Sequence, residues 1–565
     1  MRSMAAAWGA LVAIDLASRA GFLLPRLATL RGALNYVGAC VALWIVLRLL
    51  AALSGRLRLV AFAFVVALPM AAQWAMFRAY GQFVEPTDLV TLADSPRVAL
   101  AAIGGSAGTY GLGMILVATV SAACTWLLPR EPRPLRLRWT MLASAALFAS
   151  FFVGSSYWRA SPTLEHSQPA FACSVAGLLH RATVLSRSGK HVTVPPMPEP
   201  RERPNIVLVV GESLAASHLG LYGYERDTSP RLQAIRGSGA LVALQDATVM
   251  GPNTRTSVPY ILTGLEGPDV TGRIFRAPTV LEYAKARGYH TAFVSAQEES
   301  WGNFDVLFRE GADTFRTGIE FAADVDVMRG ADDINVLEQG VLPVLRSIPE
   351  PFFLVLHMNG SHAPYAYHSP ASRKAFLPED GVNSVNAYDN TVRVTDEYVA
   401  RVFETLRARD PEAWMFFTSD HGQALGEGGA FFNHGYQSNV VRDPLLVFPP
   451  ASESVAPRRE RYEELAHAQV AACDLAPTLL HLMHASPVVP MDCDDWMAAP
   501  PPPRVRVVSA YTPAYVAEPT MLVVRPDGKR ELYDLGRGTV VQDDGIVLRS
   551  ADVTLPPAVA ARLGR

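Results

Sequence analysis

Cysteine is scarce in this chain: five in 565 residues, none of them in a C-x-x-C pair, with Cys40 and Cys124 inside apolar runs. No disulfide framework follows from so few. An oxidising compartment would permit Cys473 and Cys493 to join, a link that sequence separation alone does not decide. Excess charge of either sign is also missing. The 50 Lys and Arg nearly balance the 53 Asp and Glu, for a formal net charge of -3, and both signs are spread along the chain. That pattern offers no basic face and sets nucleic acid aside as a partner. What the chain has in quantity is apolar side chains, 50% of its residues. At this length and hydrophobicity a single ordinary soluble domain is excluded, and a membrane-embedded part is expected.

Apolar runs long enough to cross a bilayer lie at about 5–24, 32–53, 57–77, 110–128 and 138–158, which makes roughly five spans. The links between them differ in charge. Arg48, Arg56 and Arg58 flank the second and Arg130, Arg133, Arg136 and Arg138 crowd the fourth, whereas the third carries Glu85, Asp88 and Asp94. Basic links favour the cytoplasmic side, so the N-terminus is expected inside and everything after about residue 160 outside; Arg26 and Arg31 in the first link argue mildly the other way. No small-residue cleavage site follows the first span before the next apolar run, so that span is expected to be retained. Asp15 and Arg19 sit one helical turn apart inside it, a spacing that lets two costly charges pair. Such a pair serves either lipid headgroup handling or mutual neutralisation. The third link, 78–110, mixes apolar and acidic residues and is expected along the outer surface, as a wall for a lipid site.

A Pro-rich stretch over 194–204 disfavours helix and reads as a linker. Beyond it, β-branched apolar runs recur at 206–210, 241–244, 291–294, 352–356, 414–417 and 445–448. Amphipathic helical stretches fall between several of them, near 280–287, 334–346, 387–407 and 466–483. This alternation predicts an α/β domain with a largely parallel central sheet. The domain plan is thus a transmembrane part over 1–160, a bridging segment and linker over 161–204, and a folded domain over 205–565.

Ligands of such sheets gather beyond the carboxyl ends of the strands. There the sequence places Gly211-Glu212-Ser213, the segment from His357 to His362, and Thr418-Ser419-Asp420-His421-Gly422. Glu212, Asp420 and His421 make an oxygen and nitrogen donor set that suits zinc, and manganese less well. A lone Asp-His pair is commonly a surface or capping pair; the strand-end context is what promotes this one. His357, His362 and His434 border Gly-containing turns, where they either hold a second metal or a phosphate or hydrogen-bond the loop backbone. The segment Met250-Gly-Pro-Asn253-Thr254-Arg-Thr256-Ser257-Val-Pro259 offers several hydroxyls at a loop entering a helix, where backbone N–H groups favour anions. A hydroxyl activated by a metal is a candidate nucleophile there. Without the metal ligands the same segment would be an ordinary N-cap.

These residues resemble the phosphoethanolamine transferases, a branch of the alkaline phosphatase and sulfatase superfamily. The shared strings are Val-Val-Gly-Glu-Ser at 209–213, Tyr-Gly-Tyr-Glu-Arg-Asp-Thr-Ser-Pro at 222–230, His-x-x-x-x-His at 357–362, Tyr-Asp-Asn-Thr at 388–391, Ser-Asp-His-Gly at 419–422 and Leu-Gly-Glu at 425–427. The resemblance implies an α-helical transmembrane domain followed by an α/β alkaline phosphatase/sulfatase-like domain. It places Glu212, Thr254, Asp420 and His421 on a catalytic zinc, with Thr254 as nucleophile ahead of Ser-Val-Pro. His357, His362, His434 and Asn253 would serve substrate binding or a second zinc.

The implied reaction takes phosphoethanolamine from phosphatidylethanolamine onto the threonine, releases diacylglycerol, and passes the group to lipopolysaccharide or another envelope glycan. The implied place is the bacterial inner membrane, multi-pass, with the catalytic domain in the periplasm and the protein a monomer. Departures from the lipid A-modifying members are Met250 and Tyr260 where cysteines flank the nucleophile loop, Ala215 where an Arg follows the Gly-Glu motif, and Gln423 where a Glu follows Asp-His-Gly. They spare the metal ligands and leave the acceptor open. A sulfatase is disfavoured because the nucleophile loop has no cysteine to convert. A phosphoglycerol transferase of the same superfamily is the main alternative, followed by a membrane-anchored phosphatase or phosphodiesterase and, last, a scaffold without chemistry.

Overall fold

A computed structural model describes residues 2–80 (except 29, 52 and 54), 83–84, 89, 111–123, 166–175 (except 173), 191–198 and 202–509. Within the last range 270–271, 300–303, 323–324, 326–329, 428–430, 434, 455–461, 463 and 499–500 are excepted, and beyond it residues 520–534, 539–542, 547–549 and 556–562 are described. The chain divides into two compact units, the first built on Met1–Val184 and the second mainly on the residues from Leu185 onward.

The first unit is helical. Helices Arg2–Ser18, Ala20–Leu27 and Leu30–Ala51 are followed by Gly55–Phe62, which runs through a π-helical turn, Ala63–Ala67, into Leu68–Tyr80. Leu11, Leu43, Leu47, Phe62 and Val66 form its core, while Leu24, Leu34, Leu57 and Phe64 are exposed. Among the described residues one helix, Arg56–Arg78, is long and apolar enough to cross a membrane; Met4–Ser18, Tyr36–Ala51 and Gly111–Ala123 are apolar but shorter. The run at 5–24 is broken by a turn at Arg19. There the guanidinium bonds Asp15 Oδ2 at 2.9 Å, and Asp15 also accepts from Tyr36 OH at 2.8 Å and Ser167 N at 3.2 Å. The run expected at 138–158 and most of the 78–110 link lie outside the described residues.

The second unit is built on a seven-stranded sheet in the order Val242–Ala243, Leu446–Phe448, Trp414–Ser419, Ile206–Gly211, Phe352–His357, His290–Ser295, Thr314–Arg316. Leu446–Phe448 runs antiparallel to both its neighbours and the other pairings are parallel. Central strands covered on both faces require unbroken apolar sequence, and Ile206–Gly211 is buried throughout. Its Ile206, Leu208 and Val210 pack into one core with Val258, Leu281 and Leu479; Val207 and Val209 face the other way, onto Val392, Val399 and Leu406 of the long helix Val385–Arg409.

Two elements differ from the sequence reading. The helix expected over 466–483 begins instead as a short strand, Gln469–Ala471, paired with Asp246–Thr248; only Leu475–Leu482 is α-helical. Sheet pairing overrides helical periodicity where a partner edge is available. Cys473 and Cys493 are joined, with Cα atoms 5.9 Å apart. A second sheet, unforeseen from the periodicity, runs antiparallel through Arg506–Ser509, Thr520–Val524, Arg530–Asp534, Thr539–Gln542 and Val547–Arg549. Its first strand holds the loop that leads to Thr254: Ser509 N donates to Met250 O at 3.1 Å and Arg506 donates to Thr248 Oγ1 at 2.6 Å.

Candidate metal and nucleophile centre

Strand register assembles the site. Gly211 pairs with Ser419, and Val210 and Ser295 both pair with His357, so the residues just after these strands emerge along one sheet edge. Glu212, Asp420 and His421 are all buried there, with one donor atom from each lying within 4.8 Å of the others. Their placement needs an unusual backbone. Ser213 is left-handed at φ 56°, a conformation few non-glycine residues adopt. It turns its N–H to Asp420 Oδ1 at 2.9 Å and its hydroxyl to Glu212 Oε1 at 2.7 Å. Gly360, at φ +51°, lies so close that a Cβ would stand 2.6 Å from Glu212 O, which accepts from Ser361 N at 2.9 Å.

Thr254 opens the helix Thr254–Thr263, whose N-cap Asn253 accepts from Thr256 N at 3.1 Å. The Thr254 hydroxyl donates to Glu212 Oε2 at 3.0 Å and lies 3.3 Å from His421 Nε2. Thr256, the other threonine of the loop, spends its hydroxyl on Asn253 O and Oδ1 at 3.1 and 3.0 Å. His421 Nδ1 is 2.8 Å from Gly422 O, so its proton sits on Nδ1 and the Nε2 lone pair faces the carboxylates and Thr254.

The donor set fits a cation. Asp420 Oδ2 is buried without a hydrogen bond, and burial together with the neighbouring Glu212 pushes the Asp420 carboxyl well above the usual range. Burial also raises Glu212, but His421, His362 and the Ser213 hydroxyl outweigh it and hold its carboxyl below normal. Burial lowers His421, which favours the neutral ring that a metal requires. Two carboxylates and a neutral imidazole, packed together and short of donors, would be relieved by a divalent ion.

The other residues singled out from the sequence are placed as follows. His357 is buried, with Nδ1 on Glu299 Oε1 at 2.8 Å. The His362 Nδ1 atom is buried without a partner. Asn253 caps the helix, and Gln423 donates to Tyr365 OH at 2.8 Å. His434 lies outside the described residues. Sequence reading missed Gln297, which bonds Glu212 Oε2 at 3.0 Å, and Asn433, 3.2 Å from His421 Nε2. It also missed Glu299. The strand-end rule applied after 291–294 would have flagged both Gln297 and Glu299; Asn433 carries no such signal.

Asp443 supports the site from below, accepting from Thr418 Oγ1 at 2.5 Å and from Ser419 N at 2.9 Å. Burial pushes its carboxyl up to about 7 despite both bonds. The folded chain therefore keeps this proton through a window, about pH 4 to 7, in which the unfolded chain has lost it. Stability is expected to fall as pH rises across that window and to level off above it, and Asp443→Asn should remove this part of the slope. Thermal unfolding of both proteins in detergent across the window tests the assignment, and parallel slopes would refute it.

Residues 204–485 match the family model described as Sulfatase. The chain belongs to this family. The curated proteins that it resembles include phosphoethanolamine transferases. Over 264 residues it is 26% identical to the Kdo(2)-lipid A phosphoethanolamine 7''-transferase of Salmonella typhimurium, an alignment covering 43% of this chain and 44% of that one. Over 275 residues it is 28% identical to the phosphatidylethanolamine transferase Mcr-1 of Escherichia coli, covering 44% and 48%. The chain thus spans less than half the length of these curated relatives. In structure it is similar to the integral membrane protein lipooligosaccharide phosphoethanolamine transferase A of Neisseria meningitidis, with a TM-score of 0.63 at 18% identity over 84% of this chain and 95% of that one. That likeness shows the fold, a helical N-terminal unit followed by an alkaline phosphatase-like α/β domain.

Proposed function

We propose that this protein transfers phosphoethanolamine from phosphatidylethanolamine to an envelope acceptor, lipopolysaccharide or another surface glycan, through a covalent intermediate on Thr254. The observation that carries the reading is the Thr254 hydroxyl, 3.0 Å from Glu212 Oε2 and 3.3 Å from His421 Nε2, inside the buried Glu212, Asp420 and His421 donor set. Glu212 orients the hydroxyl, and the positive end of the helix that Thr254 opens favours incoming phosphate. Thr254 Oγ forms a bond to phosphorus as the bond to the diacylglycerol oxygen breaks, and the hydroxyl proton leaves with the alcohol. An acceptor hydroxyl then attacks phosphorus, the Oγ–P bond breaks, and Thr254 regains its proton. Zinc, held by Glu212, Asp420, His421 and the Thr254 oxygen, would favour the alkoxide and offset the charge on the phosphoryl oxygens. His357, His362 and His434 serve the donor phosphate, the leaving group or a second zinc, and Asn253 fixes the loop that carries the nucleophile.

In this reading residues 1–160 embed the protein in the bacterial inner membrane with the N-terminus cytoplasmic, 161–204 bridge, and 205–565 work in the periplasm as part of a monomer. Confining the enzyme to the bilayer that holds its lipid donor raises the rate of encounter. The test is to incubate the purified full chain, in detergent with zinc, with fluorescent phosphatidylethanolamine and, in parallel, a phosphatidylglycerol analogue. Labelled diacylglycerol from the first is expected. Consumption of phosphatidylglycerol alone would assign a phosphoglycerol transferase, and inertness toward both lipids would end the transferase reading.

A further inference from the structure

Glu299 has no part in the chemistry above, yet it is fully buried four residues beyond the strand His290–Ser295, and its Oε1 lies 2.8 Å from His357 Nδ1. A carboxylate oxygen facing a ring nitrogen accepts, so Nδ1 carries the proton of that bond. On the Nε2 side stands Gln297, whose amide nitrogen is 2.8 Å from Met358 O, 3.0 Å from Glu212 Oε2 and 3.3 Å from His357 Nε2. An amide nitrogen has two hydrogens for those three acceptors, and the two shorter contacts take them. His357 Nε2 is thus not held by the amide, and it stands one amide nitrogen away from the carboxylate that receives the Thr254 hydroxyl.

Phe293 and Phe304 stand edge-on to the His357 ring, each with centroids 6.4 Å away, and hem it in. The Glu299 carboxylate itself is costly. Its Oε2 is buried without a hydrogen bond, and a buried charge with an unsatisfied oxygen destabilises a fold. A neutral residue of the same shape would serve a purely structural purpose better.

We propose that Glu299 is a positioning residue: through Nδ1 it locks the His357 imidazole with Nε2 turned toward the phosphoryl group at Thr254. This role rests on the transferase reading and names a residue that reading did not include.

The test is a double-mutant cycle in the full-length protein, measuring diacylglycerol release from phosphatidylethanolamine and the thermal unfolding midpoint. Glu299→Gln is expected to lower kcat by roughly 10- to 100-fold, the usual scale for removing the partner that orients a functional histidine. KM should stay near wild type, and the midpoint should be unchanged or raised. In a His357→Ala background the same substitution should cost nothing more. Should Glu299→Gln lower the midpoint, Glu299→Asp, which keeps the charge but withdraws it by one methylene, carries the same cycle. Wild-type kcat in the Glu299 variants, or a loss that adds fully to that of His357→Ala, would overturn the role while leaving the transferase reading intact. A wild-type protein that releases no diacylglycerol would take both down together.

Discussion

Replacing Thr254 with alanine should reduce diacylglycerol release by on the order of 10^4-fold or more, the scale on which removing a nucleophile acts, while the protein still folds. The geometry makes the choice of threonine specific. Thr254 Oγ1 reaches Glu212 and His421, whereas the hydroxyl of Thr256 is held by both oxygens of Asn253. The fold should survive because the cap is Asn253, which the substitution leaves alone, and alanine is the best helix former at an interior position. The measurement pairs turnover with mass spectrometry of the peptide carrying Thr254. Wild type should gain one phosphoethanolamine group on that residue, and Thr254→Ala should show none. An adduct on Thr256, or an alanine variant that turns over at the wild-type rate, would mean that the nucleophile has been misassigned.

The second large effect concerns the metal and has opposite signs in its presence and absence. Without a cation, Asp420 is a buried carboxylate beside another carboxylate, with one oxygen lacking a donor. Asp420→Asn removes that repulsion, so the metal-stripped variant should unfold at a higher temperature than metal-stripped wild type. With zinc the order should reverse. A ligand present at 100 times its dissociation constant stabilises by about 2.7 kcal/mol, and a site that has lost a carboxylate donor forfeits most of this. Replacing even a residue that only supports a metal ligand costs roughly 10- to 100-fold in affinity, so losing a ligand outright should cost at least as much. Zinc titrations followed by thermal unfolding would reveal the crossing. If zinc stabilises Asp420→Asn as strongly as wild type, Asp420 is not a ligand.

The frame of the second unit was readable in one dimension. Continuous apolar runs such as 206–210 and 352–356 have to be buried on both faces, which in a parallel sheet places them at the centre. Polar residues at their carboxyl ends, Glu212, His357, Asp420 and His421, stood out against that apolar background and pointed to a ligand site. The C-terminal sheet was not readable, because its short antiparallel strands pair only with one another and leave weak periodicity. Gln469–Ala471 was missed for a similar reason: its pairing partner, Asp246–Thr248, lies more than 200 residues away in the chain.

Motif order and residue chemistry, then, carried the family, the sheet and the donor types, since each reflects a local constraint: a buried strand, a strand end, a helix start. The selection among equivalent groups came from packing. Which of two threonines meets Glu212, which nitrogen of His357 meets Glu299, and whether Cys473 finds Cys493 all depend on distances between segments far apart in the chain. Glu299 is the sharpest case. In sequence it is one acidic residue beside another, and only the register that sets Ser295 against His357 turns it into the carboxylate that orients an imidazole.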